Sequence, residues 1–166
     1  MSLSRAEIAS RLRNLVFGVE DSLVSTVGLL SGVAIAGVPR ETIFLTGVVL
    51  VFVEAFSMAA GTFLSEASEE DFLHIKTVSG RSSLADGVVM FLSYFISGFI
   101  PLLPYLILQT NHAFPVSVTL SLVALIILGA WGGKVTRMSI WKSALRMFLV
   151  GGLAILVGVT AGWFVG

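Results

Sequence analysis

Residues 42–64 read TIFLTGVVLVFVEAFSMAAGTFL, with Glu54 the only charge in the stretch. A helix needs about 20 apolar residues to cross the roughly 30 Å hydrocarbon core of a bilayer. A surface helix of a soluble protein would show a polar face along its length, and this stretch has none. It is read as a membrane span. Working outward, four more stretches qualify, at 14–36, 84–108, 115–133 and 141–165. Breakers separate them: Gly37-Val38-Pro39, the polar run Gln109-Thr110-Asn111-His112, and Gly132-Gly133. Composition agrees. The 166 residues are 56% hydrophobic and 12% charged, where soluble domains carry about 25% charged residues. The expectation is an all-α integral membrane protein, one five-helix domain over 1–166 with a short acidic loop at 65–83.

Charge asymmetry sets the expected orientation. Arg5, Arg11, Arg13, Lys76, Arg81, Lys134, Arg137, Lys142 and Arg146 fall on one side, and Arg40 alone on the other. The positive-inside rule then places the N-terminus in the cytoplasm, and an odd number of spans places the C-terminus outside. Trp131, Trp141 and Trp163 sit at span ends, where aromatic belts form. The N-terminus is not followed by a small-residue cleavage site, so the first helix is read as retained. The short chain points to a multi-pass protein of a prokaryotic plasma membrane. Zero cysteines exclude disulfides and thiolate metal sites, and zero net charge gives no bulk field for nucleic acid. His74 and His112 share no spacing and no hydrolytic or redox triad is visible, so no enzyme is expected. Inverted-repeat transporters usually need an even number of spans. Five spans point instead to a homo-oligomer.

Glu20, Asp21 and Glu54 are carboxylates within spans. Each costs a few kcal/mol on insertion scales, which makes it a functional candidate by default. On the first span Gly18, Asp21, Ser25, Gly28 and Gly32 form one small, polar stripe. Gly28 and Gly32 also make a GxxxG pattern that permits close helix approach. On the second span Glu54, Ser57, Met58 and Gly61 share a face. At about 1.5 Å rise per residue, Asp21 and Met58 lie about 10 and 9 Å from the same side, with Glu54 at roughly 15 Å. Two hard oxygens and a thioether suit a first-row divalent cation better than Ca²⁺. Asp21, Glu54, Met58 and Glu20 are the candidate metal ligands. Ser25, Ser57, Pro101 and Pro104 are candidates for the path, because proline frees carbonyls and broken helices line cavities. Asp86 at the start of the third span is read as a helix N-terminal anion or a vestibule residue. The segment LSEASEEDFLH at 64–74 is expected to continue the second span as a helix. Glu66, Glu69, Glu70 and His74 on it would gather cations at the cytoplasmic mouth.

Three ordered motifs, FGVEDSLVSTVGLLSGV at 17–33, EAFSMAAGTFLSEASEEDF at 54–72 and SYFISGFIPLLPY at 93–105, together resemble the vacuolar iron transporter family. The resemblance covers essentially the whole chain. It implies a five-helix homodimer that moves Fe²⁺ or Mn²⁺ out of the cytoplasm in exchange for protons. The metal is then a transported substrate, with no permanently bound cofactor. The family's span-one aspartate matches Asp21 and its Ser-Met pair matches Ser57-Met58. The chain departs from the pattern at Ser22, where the family has glycine, at Glu20, and at Leu50, where plant-type members have a glutamate. Glu54, one turn on, is taken as its substitute. The long cytoplasmic metal-binding domain of the plant-type proteins is reduced here to about 20 residues, the SEASEEDF segment standing for its first turns. A membrane assembly protein on the same fold is the alternative expectation. An exporter of organic cations is a third, weakened because no aromatic cage is evident.

Overall fold

The computed structural model describes residues 5–73 and 80–166, the side chains at 6, 70, 73 and 80–82 excepted. Within them the chain forms five helices: α1 (Arg5–Ile35), α2 (Arg40–Leu73), α3 (Gly80–Ile107), α4 (Thr110–Val135) and α5 (Ile140–Val165). All five are long and apolar enough to cross a membrane.

Three helices outrun the stretches that hydropathy marks. α1 begins at Arg5 rather than near 14 because its polar first turns have partners: Ser10, Arg11 and Asn14 meet carboxylates from α2 and α3. α2 continues into the acidic segment as far as Leu73, as expected from its sequence. α4 begins at Thr110 and not at Pro115. The Gln109 carbonyl accepts from the amides of His112 and Ala113, which starts the helix. A proline so near the start removes few ladder bonds. α3 passes through Pro101 and Pro104 as one helix, and both are buried. There the Ser117 hydroxyl of α4 donates to the Pro101 carbonyl at 2.6 Å.

α1 packs against α3 and α5, α2 lies on α3, and α4 lies on α5. The α1–α5 contact is a crossing of two glycine pairs. A Cβ at Gly158 would strike the Gly28 carbonyl, and one at Gly162 the Gly32 carbonyl. Gly28 in turn faces Ala154, and Gly32 faces Gly158. Residue numbers rise together along both helices, so α1 and α5 run parallel. The α4–α5 turn therefore lies at the same end of the bundle as the start of α1. At the opposite end Leu30, Ile43, Leu102, Tyr105 and Ala113 form a buried cluster. α5 leaves most of its span uncovered, with Leu145, Phe148, Leu149, Leu153, Leu156 and Val157 exposed.

Candidate metal path

Two polar groups occupy the interior of the bundle. The first is centred on Tyr94 of α3, which is fully buried. Its hydroxyl donates to Glu54 Oε2 at 2.6 Å and shares a hydrogen bond with Ser25 Oγ at 2.7 Å. Glu54 on α2 is thereby tied to α1 through one phenol. Asp21, one turn from Ser25 on the same stripe, lies within electrostatic range of Glu54, and Glu20 within range of Asp21. The Ser22 hydroxyl donates to the Tyr94 carbonyl at 2.6 Å, and Ser97 reaches the same carbonyl at 3.2 Å. Two hydroxyls thus pin the Tyr94 backbone while its phenol orients the glutamate. Gly18 makes room, since a side chain there would meet Ser93 and Met90 of α3.

Glu20, Asp21, Glu54 and Met58 are each half-buried, and Ser57 is exposed. The face of α2 that carries Glu54, Ser57, Met58 and Gly61 is therefore only partly covered by its own chain. Among the described residues no three Asp, Glu, His or Cys side chains converge on one metal-sized point. Asp21 and Glu54 supply two carboxylates, and the remaining donors within one chain are a thioether and hydroxyls.

The second group ties together the ends of α1, α2 and α3. Asp86 is 2% exposed and Asn14 3%. Ser10 Oγ donates to Asp86 Oδ2 at 2.9 Å and approaches Glu66 Oε1 at 3.2 Å. Asn14 Nδ2 donates to Glu66 Oε1 at 3.3 Å. Arg11 Nε stands 3.8 Å from Asp86 Oδ1, and an Arg13 guanidinium nitrogen 3.7 Å from Glu66 Oε1. Glu66 is thus part of a cross-helix network with two arginines, while Glu69 is exposed on the α2 extension. The Glu70 side chain and His74, also expected to recruit cations, lie outside the described residues.

Sequence reasoning located Asp21, Glu54 and Ser25, and the structure brings these together. Pro101 and Pro104 are elsewhere, packed near the α4 contact and the far-end cluster. Tyr94 was missed. A phenol in a membrane span needs a partner for its hydroxyl, and that was the available signal.

A five-helix membrane protein with carboxylates held inside its spans defines an ion- or proton-handling class. The VIT family model matches residues 12–85 and 73–163, and the chain belongs to that family. It is 30% identical to vacuolar iron transporter homolog 1 of Arabidopsis thaliana, over 90% of this chain and 80% of that protein. With homolog 3 of the same plant the figures are 31%, 90% and 80%. With vacuolar iron transporter 1 of Tulipa gesneriana they are 22%, 86% and 82%.

Proposed function

We propose that the protein is a transporter of divalent iron or manganese, moving the ion out of the cytoplasm in exchange for protons. The family and the names of its relatives support metal transport. The observation that carries the reading for this chain is the Glu54–Tyr94–Ser25 bridge with Asp21 beside it. Carboxylates in a span are costly, and where they are kept they mark ion and substrate pathways.

The half-covered face of α2 supports a homodimer. One chain supplies two carboxylates, Met58 and hydroxyls. A second copy across a two-fold axis doubles that set and shields it from lipid. Asp21 and Glu54 then provide hard donors and Met58 a soft one, with Glu20 one position from Asp21. Carboxylates must shed protons to bind metal, so metal and proton compete for one site. Competition of this kind yields antiport when access alternates between the two sides. The charge asymmetry supports a cytoplasmic N-terminus.

Proteoliposomes test this. An imposed pH gradient is expected to drive Mn²⁺ or Fe²⁺ across the wild-type protein, and Asp21→Asn to abolish the flux. Normal transport by Asp21→Asn would overturn the site. Absence of metal binding by the wild type between pH 5.5 and 8 would favour an assembly role on the same fold.

A further inference from the structure

Apart from Arg5, which is exposed at the start of α1, the described basic side chains divide into two populations. On α1 and α2, Arg11 stands beside Asp86, Arg13 beside Glu66 and Arg40 beside Glu41. On the α4–α5 hairpin, Lys134, Arg137, Lys142 and Arg146 are all exposed. None of these four has a carboxylate within 4 Å among the described residues. A zero net charge therefore conceals a segregated surface. Exposed acids Glu69 and Asp71 project from the α2 extension. Four exposed cations share the hairpin, and α2 packs on α3 rather than on that hairpin.

The local structure suits an anionic headgroup. Arg137 adopts a left-handed conformation, with φ 57°, in the tight turn that Thr136 and Met138 close onto the carbonyls of Gly132 and Gly133. Ser139 caps α5 by accepting from the Lys142 amide. Lys142 and Arg146 are one helical turn apart and share a face. They stand over the N-terminal end of α5, which carries partial positive charge. Trp131 on α4 and Trp141 on α5 are 41% and 80% exposed on the same hairpin, bracketing Lys134 and Arg137 in the sequence. Indole rings sit at the headgroup level of a bilayer. Arg146 lies about 10 Å along α5 from Ser139 at 1.5 Å rise per residue. A long, flexible arginine side chain can extend toward the interface and shorten that distance.

We propose that the α4–α5 hairpin is a docking surface for anionic phospholipid headgroups, held by Lys134, Arg137, Lys142 and Arg146, with Trp131 and Trp141 exposed on the same hairpin. The occupant is lipid and not a soluble phosphate compound, because the cations stand at the ends of two spans whose apolar flanks are open. The exposed Leu145, Phe148 and Leu149 of α5 continue directly below them. An acyl chain lies along that surface when its phosphate meets the cations. The proposal is independent of what the protein transports.

Native mass spectrometry of the purified protein tests it. The probes are phosphatidylglycerol and phosphatidylcholine of matched chains, with inorganic phosphate as a separate arm. The wild type is expected to retain phosphatidylglycerol in preference to phosphatidylcholine, and millimolar phosphate to leave that preference intact. A cation near an anionic bilayer contributes about fivefold in partitioning. Lys142→Gln with Arg146→Gln is therefore expected to lower the preference at least about fivefold. The charge-retaining pair Lys142→Arg with Arg146→Lys should restore it, and Arg40→Gln at the other end should not change it. Equal loss in Arg40→Gln, no loss in the neutralised pair, or displacement by inorganic phosphate would overturn the proposal.

Discussion

Tyr94 carries a hydroxyl into a bundle interior that offers it no exposure to solvent. Its two partners, Glu54 and Ser25, come from different helices. Tyr94→Phe keeps the ring and removes both bonds. Interhelical hydrogen bonds in membranes average about 0.6 kcal/mol, whereas bonds to charged groups are worth about 1.5–3 kcal/mol. A loss of about 1 kcal/mol in unfolding free energy is expected. Mn²⁺ binding should weaken about fivefold when a loss of that size falls on the site, since about 1.4 kcal/mol is one factor of ten. Titration of the purified variant checks both, and unchanged binding would leave the phenol without a role in holding Glu54. At the other network, Arg11→Met removes the cation that stands 3.8 Å from Asp86 Oδ1 and leaves that carboxylate buried, with Ser10 still donating to Oδ2. Breaking a buried pair costs about 3–5 kcal/mol. Arg11 is partly exposed, so a loss nearer 2 kcal/mol is expected, and adding Asp86→Leu should recover part of it in denaturant titrations. Asp21 and Glu54 were legible in the sequence because a carboxylate in hydrocarbon is expensive wherever it points. Tyr94, Ser10 and Asn14 were not, because single hydroxyls and amides are common in membrane helices and only their geometry distinguishes them.

At the scale of elements, the small-residue pattern acts through the α1–α5 crossing. The sequence reading marked Gly28 and Gly32, and that pair does permit a close approach. Its partner pair, Gly158 and Gly162 at the same spacing, went unread. The pattern shows that a helix can be approached but not by which neighbour. Gly158→Leu places a side chain against the Gly28 backbone, where nothing flexible can give way. Overpacking of a tight interface costs about 1–3 kcal/mol and more where backbone blocks the side chain. Loss of the folded protein from detergent extracts is expected for that variant. Gly152→Ala meets nothing within 4 Å. It is expected to stabilise α5 by about 0.5–1 kcal/mol through the ordinary helix preference for alanine, seen as a higher melting temperature. Equal behaviour of the two variants would sink the crossing as an explanation. The helix ends were harder to read than the spans for a related reason. Hydropathy reports the hydrocarbon core, while the extra turns of α1 are held by hydrogen bonds and ion pairs to α2 and α3.

At the scale of the whole molecule, one chain leaves an unbalanced surface. The α1–α2 side carries half-buried Glu20, Asp21 and Glu54, with Ser57 and Gly61 exposed beside them. Lipid is a poor neighbour for that face, since carboxylates in spans almost always point into a bundle or a water-filled cavity. The α5 side exposes leucine, valine and phenylalanine, for which lipid is a good neighbour. A second copy is therefore expected to cover the α2 face and not α5. The absence of cysteine makes this a clean measurement, because a single introduced thiol is the only one in the chain. Ser57→Cys in membranes, treated with a short bismaleimide, is expected to give a covalent dimer in high yield. Val157→Cys on the exposed side of α5 should give monomer under the same treatment. Dilution of the membranes with excess lipid should leave the Ser57→Cys product unchanged, because a stable pair does not depend on chance encounter. If Ser57→Cys stayed monomeric while Val157→Cys cross-linked, the two-fold axis would lie along α5. The metal path would then have to be completed within one chain, from Asp21 and Glu54 with water in place of the partner's donors.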